Sequence, residues 1–373
     1  MQERALRKVL LIQAIEETDR RGEALPLAER AAATREVAGR SVSGLETQTE
    51  AQLSSATEWF LIRRADLLLR SLRNRSPGID YVLAVAGGAT SLDRGMLVFA
   101  FAIGVLFCFL DGGRAINIFA LPLILLIVWN LLMYVLRLGR RRGRIVASTA
   151  ATAATASTAP TPSTAAKVAP RATLFANFYS RWARTRIDKL LGHSTRFNAP
   201  LAPGLRRFAG DWWEVAQPLF AARARRLLHL SAMAVALGLM AGYSFRGIIL
   251  RAGAGWVGGN ALGPGMAHTL VTVLYGPASL ISGIELPPAA GIAELQLTAA
   301  QRSGGDAAPW IHLIAWTAGL YILLPRLIAA LFTSFNLWRL SRRLPVPPGI
   351  VGYVRTLFAA ESFQPGNGEL HDV

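Results

Sequence analysis

Ala115-Ile-Asn-Ile-Phe-Ala-Leu-Pro-Leu-Ile-Leu-Leu-Ile-Val-Trp-Asn-Leu-Leu-Met-Tyr-Val-Leu136 is a run of 22 residues without a charge. At about 1.5 Å per residue, a helix of that length covers the ~30 Å hydrocarbon core of a bilayer. The run therefore predicts a membrane helix over Ala115–Leu138. Upstream, Asp111-Gly-Gly-Arg114 separates it from a second apolar segment, Leu92–Leu110, in which Asp93 and Arg94 fall at headgroup level. So short a link requires a tight turn, and residues 91–138 read as a hairpin. Two further apolar segments, Leu227–Leu250 and Trp310–Phe332, complete the set. The expected fold class is all-α: a polytopic helical membrane protein with about four transmembrane helices plus cytoplasmic helical segments. Composition agrees, since 52% hydrophobic and 17% charged residues over 373 positions fit neither a disordered chain nor an ordinary water-soluble enzyme.

Charge orients the spans. The formal net charge is +17, which by itself is compatible with nucleic acid, anionic lipid or topology as its cause. Residues 1–95 carry 14 basic and 13 acidic side chains, whereas residues 137–226 carry 17 against 3. Arg223, Arg225 and Arg226 precede the third apolar segment, and Arg339, Arg342 and Arg343 follow the fourth. The segment 251–309 has only Arg251 and Arg302 against Glu285, Glu294 and Asp306. The positive-inside rule then puts both termini in the cytoplasm and 251–309 outside, within a bacterial cytoplasmic (inner) membrane. The charged first thirty residues lack the apolar core of a secretory signal. Ala267–Ile284 is a competing crossing. Its His268, Gly276-Pro277 and hydroxyls favour a helix on the outer face, re-entering it, or packed on the spans.

The remaining parts divide by composition. Residues 1–90 read as a cytoplasmic helical region, with helices over Arg4–Ile15, Leu27–Ala38 and Leu45–Leu72 and a break at Gly22. Residues 139–171 join a basic stretch to an Ala/Thr/Pro linker that lacks the aromatics of a packed core. Residues 172–226 interleave aromatics such as Trp182, Trp212 and Trp213 with Arg181, Arg184 and Arg207. This pattern can stack nucleic acid, but between two spans it fits an interfacial helix against anionic headgroups or a protein better. Residues 227–332 hold spans three and four with the outer loop 251–309, and 333–373 form a cytoplasmic C-terminal tail.

No motif for catalysis or cofactor binding is found. The five His are widely spaced, the single Cys108 sits in an apolar run, and nucleophile-elbow, phosphate-loop and dinucleotide patterns are absent. No catalytic, cofactor or metal residue is assigned. Candidate functional residues lie where polarity meets the apolar segments: Arg246, Arg251, Trp256, His268, Glu285, His312 and Arg326. An Arg near a span end needs a carboxylate, carbonyl or water. For Arg246 the choices are Glu285 or headgroups, and Pro325-Arg326 reads as a kink with a snorkelling cation. His268, Glu285 and His312 would form a site only if the fold brought them together.

Phe245-Arg-Gly, Ala254-Gly-Trp, Tyr275-Gly-Pro-Ala-Ser-Leu-Ile-Ser-Gly-Ile, Trp310-Ile-His and Leu324-Pro-Arg-Leu, in that order over residues 225–345, resemble an uncharacterised family of proteobacterial polytopic membrane proteins. That family is often encoded beside a GTPase, so the resemblance implies a partner and no activity. The expected role is a scaffold or regulator acting through protein contacts, with a small-solute transporter or channel as the alternative and a membrane enzyme third.

Overall fold

Gln2 precedes a stretch in which Leu6, Val9, Leu10, Ile12 and Ile15 are all buried, and this is helix α1 (Glu3–Thr18). Apolar residues on nearly every side make it the central helix of its unit. The computed structural model describes residues 1–38, 55–88, 91–109, 115–119, 122–135, 181, 185, 199–257, 263–297 and 304–362. It is all-α, and about 81% of the described residues are helical. The chain divides into two units: Met1–Thr90, Ala172–Arg225 and Thr333–Val373 form one, and Ser91–Arg171 with Arg226–Phe332 the other. The linker of 139–171 and nearly all of 172–198 lie outside the described residues.

In the first unit α2 (Leu27–Ala38) packs on α3 (Ser55–Arg75), and α3 and α4 (Gly78–Ala86) pack on α1. The loop from α1 into α2 turns at Gly22, whose φ of 72° is easy only for glycine. Asp19 fastens that loop: its carboxylate accepts the backbone N–H groups of Glu23, Ala24 and Leu25 at 2.9, 3.0 and 2.9 Å, and Arg30 at 2.7 Å. Burial pushes the Asp19 carboxyl up, but those donors and the Arg30 charge outweigh it and hold it below its ordinary 3.8. A depressed folded-state value means that the contribution is complete above the unfolded value and lost as pH falls through the folded one. Asp19→Ala is accordingly expected to cost about 2 kcal/mol near pH 7 and progressively less below pH ~4, measured by denaturant titration at several pH values.

The second unit begins with α5 (Ser91–Phe107). The expected helix over Ala115–Leu138 is shorter than its apolar run. Ile116–Asn117 is a two-residue strand, β1, and the helix α6 is described from Pro122 to Val135. Proline suits a first helical turn and disfavours helix in the residue before it. Asn117 adds a local turn by accepting the Phe119 N–H at 3.0 Å. After α7 (Ala202–Ile249), β2 (Ala254–Gly255) pairs in parallel with β1, Ile116 opposite Ala254. Helices α8 (Pro264–Ser282) and α9 (Ala289–Glu294) follow, and α8 packs along the start of α10 (Ala308–Arg342).

Helices α7 and α10 are long and apolar enough to cross a membrane. Helix α7 starts well before the expected Leu227, because Leu205, Phe208, Trp212 and Leu219 extend a buried face through the basic-aromatic segment. Its residues up to Arg225 belong to the first unit. The C-terminal part, read as a tail, contains α11 (Pro348–Ser362), which buries Ile350, Tyr353 and Val354 in the first unit. Both long helices contain a π-helical segment, Phe245–Ile249 in α7 and Gly319–Leu323 in α10. The second precedes Pro325, which has no N–H to offer the carbonyl of Tyr321, so a widened turn there relieves the clash of its ring.

Within the second unit α5 and α7 approach to backbone contact. A Cβ on Gly104 would lie 2.1 Å from the Val235 carbonyl oxygen, and one on Gly238 would lie 2.1 Å from that of Phe101. Gly238-Leu-Met-Ala-Gly242 is the small-xxx-small spacing by which helices in lipid come close.

Candidate functional site

The second unit has a buried apolar core, yet it also buries several polar side chains and exposes many large apolar ones. Asn130, His229, Arg246 and Arg326 are 1%, 3%, 4% and 7% exposed. Val98, Leu125, Trp129, Ile248, Leu280 and Phe332 are each more than half exposed.

Arg326 on α10 does not snorkel, contrary to expectation. Its Nε donates to Asn130 Oδ1 on α6 at 2.6 Å, and Nη1 lies 3.3 Å from His229 Nδ1 on α7. A guanidinium only donates, so Nδ1 must offer its lone pair, which places the imidazole proton on Nε2. Asn130 in turn donates to the Leu126 carbonyl at 2.7 Å. The reason for the difference is geometric: polar groups on two neighbouring helices face Arg326 inward, so its charge is met without leaving the interior. Neither Asn130 nor His229 is among the candidate residues read from the sequence. The buried phase of positions 229 and 326 on their helices was the missing information.

Arg246 is likewise buried, whereas Glu285, its expected partner, is exposed. It donates to the carbonyls of Cys108 at 2.5 Å and Ala115 at 3.2 Å, which ties the end of α7 to the turn after α5. Backbone carbonyls are thus among the groups that meet this cation. Arg251, at φ 52°, is exposed in the turn into β2.

Trp256 is fully buried and donates to the Ile292 carbonyl at 2.8 Å. Tyr275 donates to the Ile118 carbonyl and sits edge-on to Trp310 at 5.8 Å between centroids. Three of the stretches singled out in the sequence thus converge on one aromatic core around the β1–β2 pair. His268 is half-buried on α8, while His312 on α10 is exposed. Among the described residues no three His, Cys, Asp or Glu side chains are grouped to hold a metal ion.

The first unit holds a different kind of site. Arg64 of α3 grips Glu16 of α1 through Nη2 to Oε1 at 2.8 Å and Nη1 to Oε2 at 3.2 Å. It also donates to Thr34 of α2 at 2.8 Å and to the Tyr353 hydroxyl of α11 at 2.7 Å. Tyr353 passes its proton toward Glu16 in a further hydrogen bond. Burial lifts the Tyr353 phenol well above its ordinary value; Arg64 pulls it down and Glu16 pushes it up, leaving the hydroxyl protonated. These residues wall a cleft of about 320 Å³, with Leu27, Ala31 and Leu357 as its apolar side and Arg30 and Arg35 nearby. Sequence reading assigned no site in 1–90, because Glu16, Arg64 and Tyr353 are up to 337 positions apart. Ten ion pairs among the described residues, from Met1–Glu58 to Arg223–Glu3, belong to this unit.

No family model, curated protein or solved structure matches the chain.

Proposed function

We propose that the protein is a multi-pass inner-membrane protein that acts through protein contacts made by its first unit, as a scaffold or regulator. The observation that carries this is the different chemistry of the two units: many exposed large apolar side chains and a few buried polar ones in one, ion pairs and clefts in the other. Exposed apolar surface on that scale fits lipid rather than water. In this reading α5, α6, α7 and α10 make four crossings and both termini are cytoplasmic. What supports it is that the turn after α5 and the start of 251–309 meet at one end of the second unit, through β1–β2 and Arg246. The basic clusters Arg223–Arg226 on α7 and Arg339–Arg342 on α10 fall at the far limits of the apolar stretches of those helices. Anionic headgroups meet those flanks, nucleic acid is not a partner, and a cytoplasmic GTPase is the candidate partner.

Topology reporters after residues 112, 160, 260, 290 and 373 test the crossings. Positions 112, 260 and 290 are expected outside, 160 and 373 inside; a cytoplasmic signal at 290 overturns the four-span arrangement. Carbonate-resistant membrane association tests insertion, and co-purification in mild detergent tests the GTPase. A second reading, a small-solute transporter, is favoured by the Arg326–Asn130–His229 network, since buried ionisable groups in such a setting commonly mark a pathway. Flux in proteoliposomes that Arg326→Met abolishes would select it.

A further inference from the structure

A groove of about 440 Å³ in the first unit, distinct from the Arg64 cleft, runs between α1, the first half of α7 and the chain entering α11. Leu10, Val215, Val346, Pro347 and Ile350 give it an aliphatic lining, and Gln13, Arg207, Asp211 and Glu214 give it polar groups.

Two observations there point to a ligand. Gln13 is 7% exposed, and its amide is oriented by Nε2 donating to Glu17 Oε1 at 2.8 Å and to the Gly349 carbonyl at 3.4 Å. That leaves the carbonyl Oε1, a buried acceptor, without a hydrogen-bond partner among the described residues. A buried acceptor left unmet costs about 1–3 kcal/mol. The second observation is charge. Glu17, Asp211 and Glu214 share a single lining cation, Arg207, which pairs with Glu17 and reaches Asp211 only at 3.7 Å. Burial lifts the Asp211 carboxyl; Arg207 offsets part of that, while Glu17 and Glu214 add to it. The groove therefore has more acidic than basic side chains and a buried acceptor without a donor, and it has aliphatic walls beside both.

We propose that this groove binds an organic cation with N–H donors on a short aliphatic stem, a guanidinium or primary ammonium. One N–H meets Gln13 Oε1, the charge sits against Asp211 and Glu214, and the stem lies along Val215, Val346 and Ile350. The site follows from the first unit alone and does not depend on the membrane reading.

Titration calorimetry of the full chain in detergent micelles with n-butylguanidinium tests it. Saturable one-to-one binding is expected, weakened about tenfold or more by Gln13→Met and by Glu214→Gln. Glu214 is exposed, so that variant keeps the fold intact should Gln13→Met perturb it. Tetramethylammonium, which has the charge but no donor, is expected to bind at least about tenfold more weakly. No saturable binding up to about 10 mM, equal binding of tetramethylammonium, or undiminished binding in Glu214→Gln each overturns the proposal. An acetyl-Gly-Arg-Gly-amide peptide binding as tightly as butylguanidinium would assign the natural cation to a partner's side chain. Its exclusion would assign the cation to a free small molecule.

Discussion

Arg64→Met is expected to destabilise the first unit by about 3–5 kcal/mol, enough to leave a domain of ordinary stability marginal. The replacement keeps the aliphatic volume and removes four hydrogen bonds that join α1, α2, α3 and α11. Glu16 then remains buried with its charge met mainly by the Tyr353 hydroxyl. The loss is chiefly the cost of that stranded carboxylate. Adding Glu16→Leu to Arg64→Met should therefore recover much of the stability, and denaturant unfolding of the single and double variants measures the coupling. If the double variant is no more stable than Arg64→Met, the bridge is not what organises the four helices. Arg64→Lys should fall near the methionine variant, since one ammonium cannot reproduce the planar fork.

Gly238→Ala is the second large effect. The added methyl would meet the Phe101 carbonyl oxygen at 2.1 Å, and the obstacle is backbone, which cannot rotate aside. Helices α5 and α7 must separate to admit it, losing close contact along Gly104, Gly238 and Gly242. A cost of about 3 kcal/mol or more is expected, at or beyond the upper end for overpacking a core. Gly104→Ala should behave alike, because its methyl would meet the Val235 carbonyl at 2.1 Å. Gly95→Ala on the same helix meets nothing within 4 Å and should stabilise by about 0.5–1 kcal/mol. Thermal unfolding in one detergent compares the three. Opposite signs for positions 95 and 104 identify contact, rather than helix propensity, as the cause.

Helix positions were largely legible, because they depend on local spacing. Leu27–Ala38 was read with its bounds, and Trp310–Phe332 lies inside α10. The misjudged boundaries follow from effects that hydropathy does not weigh. Pro122 and Asn117 shorten the second apolar helix, and a buried aromatic face lengthens α7 toward its N-terminus. The candidate residues fared according to what defines them. Trp256 could be singled out from its neighbours, yet its role as a core donor to Ile292 needed the fold. Arg246 and Arg326 were visible as cations in apolar surroundings, but what meets them comes from segments 97 to 196 positions away. Gln13 and Asp211 gave no signal, since an unmet acceptor and uneven charge exist only after three distant segments have met.

The widened turn at Gly319–Leu323 sets an angular phase along α10. Trp310, Ile314, Ala318, Ile322, Arg326 and Ala330 are all buried, in steps of four. On a straight α-helix each such step drifts about 40° from the last, so the first and sixth would stand on nearly opposite sides. A π turn takes up an extra residue and so returns about 100° of that drift. Length in this turn therefore acts as a rotation: removing one residue there would leave the sequence after it intact but swing Arg326 away from Asn130 and His229. Insertions and deletions, harmless in many surface loops, would here re-aim a buried charge.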